Sequence, residues 1–138
     1  MIEIQHRGLC EDWVRNCTLV KVIDGDTIVV DMDMGKGIWV KDQIIRLLGV
    51  NCPEKNKKET KEAGLAAMAF TQRWLSIPAS PPYPQLIVQT FLEKKKGQDK
   101  QDSFGRLLGI VGYSGTEMTL NQALLNNGHA VPFMQNTW

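Results

Sequence analysis

The sequence predicts a mainly β, α+β fold: a five-stranded OB-type Greek-key barrel with two helices, in the order β-β-β-α-β-β-α. Three observations predict it. Runs rich in Val, Ile and Thr fill the first part of the chain and recur near Leu86 and Leu108. A stretch of helical periodicity separates the third such run from the fourth. A capped helix follows the fifth. Short strands with a helix inserted between the third and fourth match a closed Greek-key barrel. The 138 residues make one domain, 1–138, with a core from about residue 17 to 133.

The segment CTLVKVIDGDTIVV, from Cys17 to Val30, is interrupted once by Asp24-Gly25, and Asp-Gly between β-branched runs signals a hairpin. A second turn, Met34-Gly35-Lys36-Gly37, precedes a strand from Ile38 to Val50. Together these form a three-stranded antiparallel meander. Cys52-Pro53 ends it, because proline lacks the N–H a ladder needs and restricts the residue before it. Ala63, Ala66, Ala67, Phe70, Trp74 and Leu75 then recur at helical spacing, so Thr60 to Leu75 is expected to be an amphipathic helix. Glu59 and Glu62 lie near its positive end.

The proline-rich segment PASPPYP forms a rigid connection to a strand from Gln85 to Glu93. A polar loop, KKKGQDKQDS, leads through Phe104-Gly105-Arg106 to the last strand, ending near Tyr113. Thr119-x-x-Gln122 reads as a capping box, with the Thr hydroxyl taking a backbone N–H and the Gln side chain reaching back. Gly128 supplies the left-handed stop.

Lysine and arginine total 16 against 15 acids, a formal net charge of +1. Any nucleic-acid partner must therefore be held by local clusters of charge. No apolar run is long enough to cross a bilayer, so no membrane partner is expected. The N-terminal residues lack the basic-then-apolar pattern of a leader, which predicts a cytoplasmic protein, or a secreted one if a leader has been removed. Cys10, Cys17 and Cys52 are odd in number and show no C-x-x-C spacing, against a zinc knuckle or a full disulfide framework. His6 and His129 have no partner at ligand spacing.

Four places carry candidate chemistry. Asp26 lies just past the Asp24-Gly25 turn; the motif alone is turn chemistry, and its other reading is a carboxylate aimed at a hard cation. Arg46 interrupts the apolar strand IIRLLGV. Burying it is costly unless it meets an anion, either a structural carboxylate or a phosphate matched by its guanidinium fork. Asn51-Cys52-Pro53-Glu54 follows, with Pro53 fixing the turn and Glu54 a candidate general base or a solvated charge. Arg106 follows Gly105 at the start of a strand. Lysines at 55, 57, 58, 61, 94 to 96 and 100 flank Glu54 and Arg106, as solvated loop charge or a funnel for a polyanion.

In order, DGDT, RLLGVNCPE, KKGQ…DSFGR and TLNQALLNNGHA resemble the staphylococcal nuclease (thermonuclease) family from about Leu19 to Ala130. The resemblance implies an OB-fold core and calcium-dependent hydrolysis of DNA or RNA phosphodiesters. By motif, Arg46, Glu54 and Arg106 match the catalytic pair of arginines and the catalytic glutamate. Asp26 matches a metal-ligand aspartate. Asn51 falls where the family has a second ligand aspartate, and Cys52 where a threonine offers its backbone carbonyl. The implied metal set is Asp26, Asn51, Cys52 and Glu54, for Ca²⁺ first, with Mg²⁺ or Mn²⁺ as alternatives. Asn51 keeps an oxygen donor but removes a charge, which is expected to weaken or alter metal preference.

The resemblance also implies endonucleolytic cleavage leaving 3′-phosphate ends, on DNA, RNA or both, by a monomer. Glu54 would activate water while the arginines meet charge building on the phosphate. The family's aromatic pair after the second helix is reduced to Phe133, and Ser103-Phe104 stands where Lys-Tyr is common. The competing function is a non-catalytic nucleic-acid or protein-binding module on the same barrel.

Overall fold

The computed structural model describes residues 14–76, 85–92 and 107–134. The N-terminal stretch with Cys10 and His6, the proline-rich connection, the polar loop with its lysines, and Ser103 to Arg106 lie outside the described residues. The described elements are β1 (Val14–Asp24), β2 (Thr27–Asp33), β3 (Trp39–Leu47), β4 (Val50–Asn51), α1 (Lys61–Trp74), β5 (Leu86–Leu92), β6 (Leu107–Tyr113), α2 (Leu120–Asn126) and β7 (Val131–Pro132).

Five of the strands close into a barrel in the order β1-β2-β3-β6-β5, with β5 pairing back to β1. The predicted meander is present, with Val22 opposite Ile28 and Thr27 opposite Arg46. All barrel pairs are antiparallel except β3–β6, where Arg46 lies opposite Leu108 in a parallel register. That single parallel seam is the one closed by the long connection through α1 and β5. The barrel interior takes Ile28, Val30, Ile45, Leu47, Val88 and Val111, all fully or almost fully buried. Branched side chains that alternate along pleated strands fill this space well. Among the described residues no helix is long and apolar enough to cross a membrane.

Local differences from the sequence reading have physical causes. The strand expected over Ile38 to Val50 breaks at Leu48-Gly49, where Gly49 takes φ +81°. The chain then turns away from the barrel, and β4 pairs with β7 through Val50–Pro132 and Asn51–Val131. Gly25 adopts no positive φ, so it does not serve turn handedness. A Cβ there would come within 2.7 Å of the Ala67 Cβ and 3.0 Å of the Cys52 sulfur. The glycine lets α1 sit directly on the β1–β2 turn, where the Thr71 hydroxyl donates to the Gly25 carbonyl at 2.7 Å.

Helix α1 and its C-cap pack Ala67, Phe70, Trp74 and Leu75 of the expected face against the core, but not Ala63 and Ala66. Gly64, Ala67 and Thr71 are inside, while Ala63 and Ala66 are exposed. Close backbone packing selects small residues over bulky apolar ones. At α2 the Thr119 hydroxyl accepts from the Gln122 N–H at 3.1 Å, as expected. The Gln122 side chain instead reaches forward to Asn126 Oδ1 at 2.8 Å. Gly128, at φ +75°, ends the helix, with the Gly128 and His129 N–H groups returning to the Leu125 and Leu124 carbonyls.

Candidate active site

The β1–β2 turn, the end of β3 and the loop after β4 meet at one end of the barrel. Asp26 is carried there by the hairpin and is 8% exposed. Its backbone carbonyl accepts from the Leu47 N–H at 2.8 Å, tying the turn to β3. Its carboxylate takes the Cys52 N–H on Oδ2 at 2.9 Å and the Thr27 hydroxyl on Oδ1 at 3.2 Å. Arg46 Nη1 lies 3.4 Å from the same Oδ2. The carboxylate is thus the hub between two segments 26 residues apart in sequence.

Arg46 is 9% exposed and meets several acceptors. Nη1 donates to the carbonyls of Leu47 at 3.1 Å and Val50 at 2.8 Å, and Nη2 donates to Asn51 Oδ1 at 3.1 Å. Of the two readings of Arg46 made from the sequence, the structural carboxylate pair is the one observed here. Arg46 stands in the same cluster as Asp26, Asn51 and Cys52. Carbonyls at the Leu48-Gly49 break, which only that turn makes available, fix the direction of the fork. The Phe133 ring lies with its centroid 5.9 Å from the Arg46 Cζ, brought there by β7 and by its own N–H donating to the Gly49 carbonyl at 2.9 Å.

Cys52 is 5% exposed, and its thiol is pushed up to about 12, first by burial and then by the Asp26 charge, with Arg46 opposing. It is a free thiol, as is Cys17. A neutral, inert thiol leaves the Cys52 backbone as the group available to polar chemistry.

Glu54 behaves differently. Its backbone is held: the carbonyl accepts the Thr60 hydroxyl at 2.6 Å, and the Glu54–Lys55 backbone rests on Gly64, where a Cβ would fall 2.5 Å from the Lys55 nitrogen. Its carboxylate is exposed and lies 3.6 Å from Lys57 Nζ, both side chains 64% exposed. The structure thus brings Asp26, Arg46, Asn51 and Cys52 into direct contact and puts Glu54 at the rim. Arg106 lies outside the described residues.

The donors that the sequence implies for a cation are all oxygens: the Asp26 and Glu54 carboxylates, the Asn51 amide oxygen and the Cys52 carbonyl. That set suits a hard ion such as Ca²⁺, Mg²⁺ or Mn²⁺ rather than a soft one. Among the described residues no group of three or more His, Cys, Asp or Glu side chains is placed to hold a metal. The set fits a cation only with amide and backbone oxygens included, and Asn51 Oδ1 and Asp26 Oδ2 are shared with Arg46.

Sequence reasoning missed three residues that build this site. Gly64 and Thr71 act through α1, and Asn121 acts through α2. Asn121 Oδ1 accepts from the Val111 N–H at 3.0 Å, and Nδ2 donates to the Leu48 carbonyl at 2.8 Å and the Gly109 carbonyl at 3.0 Å. An amide flanked by the apolar Leu120, Ala123 and Leu124 of α2 was the available signal, since a buried amide must find partners.

A closed barrel of this strand order with two helices defines an OB-type domain, here with an arginine–carboxylate cluster at the ends of its strands. Residues 44–137, more than half of the chain, match the family described as staphylococcal nuclease homologue. The chain is 35% identical over 127 residues to a thermonuclease of Staphylococcus hyicus, covering 89% of this chain and 62% of that one. It is 32% identical over 112 residues to a thermonuclease of Staphylococcus intermedius, covering 80% and 55%. The chain belongs to the staphylococcal nuclease family. It spans less than two thirds of the length of these relatives, at 62% and 55%.

Proposed function

We propose that the protein is a metal-dependent endonuclease that hydrolyses phosphodiester bonds of DNA, RNA or both, leaving 3′-phosphate ends and acting as a monomer. The observation that carries this reading is the direct contact of Arg46 with Asp26, which comes from a different motif, and with Asn51, which comes from its own. Membership of a family whose relatives carry the name thermonuclease supports the substrate class.

Hydrolysis builds negative charge on the non-bridging oxygens, so the catalyst must hold positive charge at that place beforehand. Arg46 does this with a guanidinium whose orientation is set by the Leu47 and Val50 carbonyls. No reorganisation is then needed as the charge develops. Asp26 and Asn51 balance and steer that cation, and Asp26 also anchors the Cys52 end of the loop. Glu54, exposed to solvent on a fixed backbone, accepts the proton of the attacking water. Arg106 is assigned the second phosphate contact through its motif. Asp26, Asn51, the Cys52 carbonyl and Glu54 would hold the divalent cation. When bound, it would supply Lewis-acid stabilisation of a phosphate oxygen.

The second reading, a non-catalytic module that binds nucleic acid or protein, is favoured by one observation. The Glu54 carboxylate pairs with Lys57 at the surface rather than standing beside Arg46. Comparing wild type with Glu54→Gln on plasmid DNA and on RNA, with Ca²⁺, Mg²⁺ or Mn²⁺, separates the two. The nuclease reading expects cleavage lost in the variant and a product carrying a 3′-phosphate. Equal cleavage by both proteins rejects Glu54 as the base, and binding without turnover in every metal supports the module.

A further inference from the structure

Lys55 stands apart from the other lysines of its loop. By composition it belongs to a cluster of solvated or phosphate-steering charge, yet its side chain is only 25% exposed and points inward. Its ammonium donates to the Ile23 carbonyl at the end of β1 at 2.6 Å and lies 3.6 Å from Asp24 Oδ1. It also lies 3.6 Å from the Met68 sulfur on α1. Its backbone nitrogen and Cα press on Gly64, where a Cβ would come within 2.5 and 2.7 Å. Lys57, by contrast, makes an exposed pair with Glu54 of the kind that contributes little.

We propose that Lys55 is a positioning residue for Glu54: its ammonium pins the Cys52–Lys55 segment to the end of β1, beside the turn that carries Asp26. The proposal rests on the reading of Glu54 as the base. A glutamate exposed at a loop rim has no side-chain packing to set its direction, so its aim depends on its backbone. That backbone is held on one side by the Asp26–Cys52 hydrogen bond and on the other by Lys55 and the Thr60 hydroxyl. A charge-assisted bond to a carbonyl is strong enough to offset the entropy of ordering a lysine, which a neutral side chain of equal length would not do. The charge is therefore used to fix geometry and not to attract substrate.

The test uses Lys55→Met and Lys55→Arg in the full chain with two readouts. Amide hydrogen exchange over residues 53–60 is expected to accelerate about 10- to 100-fold in Lys55→Met, with the amides of β1, β2 and β3 unchanged. Cleavage of a labelled oligonucleotide should lose about 10- to 100-fold in kcat, with KM constant to within about twofold. Lys55→Arg should restore both. Unchanged exchange over 53–60 in folded Lys55→Met overturns the proposal, as does a rise in KM with kcat intact, which would mark a phosphate contact. If the wild type cleaves nothing, the nuclease reading fails while the exchange result still decides whether Lys55 holds the loop. Should Lys55→Met not fold, Lys55→Gln is measured in the same way. Collapse of both overturns the proposal, because Lys55 would then support the whole barrel.

Discussion

Arg46 and Asp26 face each other at 3.4 Å with side chains only 10% and 11% exposed. Neither could be buried alone. Breaking such a pair from one side leaves an uncompensated charge, which costs about 3–5 kcal/mol. Asp26→Ala also strips the Cys52 N–H of its acceptor. Urea unfolding should show a loss at the upper end of that range, and a loss under about 1 kcal/mol would mean the pair is hydrated.

Arg46→Lys tests direction rather than charge. An ammonium is a point charge and cannot span the Leu47 and Val50 carbonyls and Asn51 Oδ1 as the fork does. Cleavage should fall about 10²- to 10³-fold with the divalent cation saturating. Retention of wild-type turnover would remove Arg46 from the chemistry.

Asn51→Asp adds a carboxylate to the proposed donor set, which otherwise has two. Calorimetric titration with Ca²⁺ should show about tenfold tighter binding, since ligand charge sets affinity in such sites. The new charge would also strengthen the contact to Arg46 Nη2. Unchanged affinity would place the cation away from position 51.

Gly64→Ala inverts an ordinary expectation. In a helix interior alanine is better than glycine by about 1 kcal/mol. Here the new methyl would meet Lys55 N at 2.5 Å and Glu54 C at 2.8 Å, and backbone cannot rotate away. Thermal unfolding should show a net loss of about 1–3 kcal/mol, accompanied by lower kcat. A gain in stability would show that the loop can lift at no cost.

Cys17 shares the alkaline pH dependence with Cys52, whose thiol is raised as far. Burial first, and then the Asp33 charge, push the Cys17 thiol from 9.0 up to about 12. Below the unfolded value both states hold the proton and the stabilisation is complete. Between about pH 9 and 12 only the unfolded chain releases it, so stability falls as pH rises, by at most about 1.4 kcal/mol per pH unit for this thiol. Cys17→Ala should flatten the fall of urea midpoint over that window. An identical slope in the variant would assign the alkaline loss elsewhere.

Much of the barrel was legible because its signals are local. The β-branched runs, the Asp24-Gly25 turn, the Thr119 cap and the Gly128 stop each depend on neighbours within a few residues. The Arg46 interruption was legible too, since a charge in an apolar strand demands a partner. Less visible were features made by distant segments meeting. Gly25 and Gly64 look like turn and helix-weakening glycines, and only the approach of α1 to the loop explains them. Helical spacing marked Ala67, Phe70, Trp74 and Leu75, which do pack, but it also marked the exposed Ala63 and Ala66 and passed over Gly64 and Thr71. The β4–β7 pair has two residues a side, too short for any periodicity. Lys55 was read with its neighbours because nothing in a run of lysines distinguishes the one that turns inward.

Asn121 satisfies backbone groups of Leu48, Gly109 and Val111 from a helix near the end of the described chain. A nascent polypeptide emerging from the ribosome must therefore wait for position 121 before the parallel seam beside Arg46 can be sealed. Until then the Leu48 carbonyl and the Val111 amide lack their Asn121 partner, and the Gly109 carbonyl keeps the Leu48 N–H without the Asn121 amide. The brace between β3 and β6 would arrive late in synthesis, after all five strands of the described barrel have been delivered.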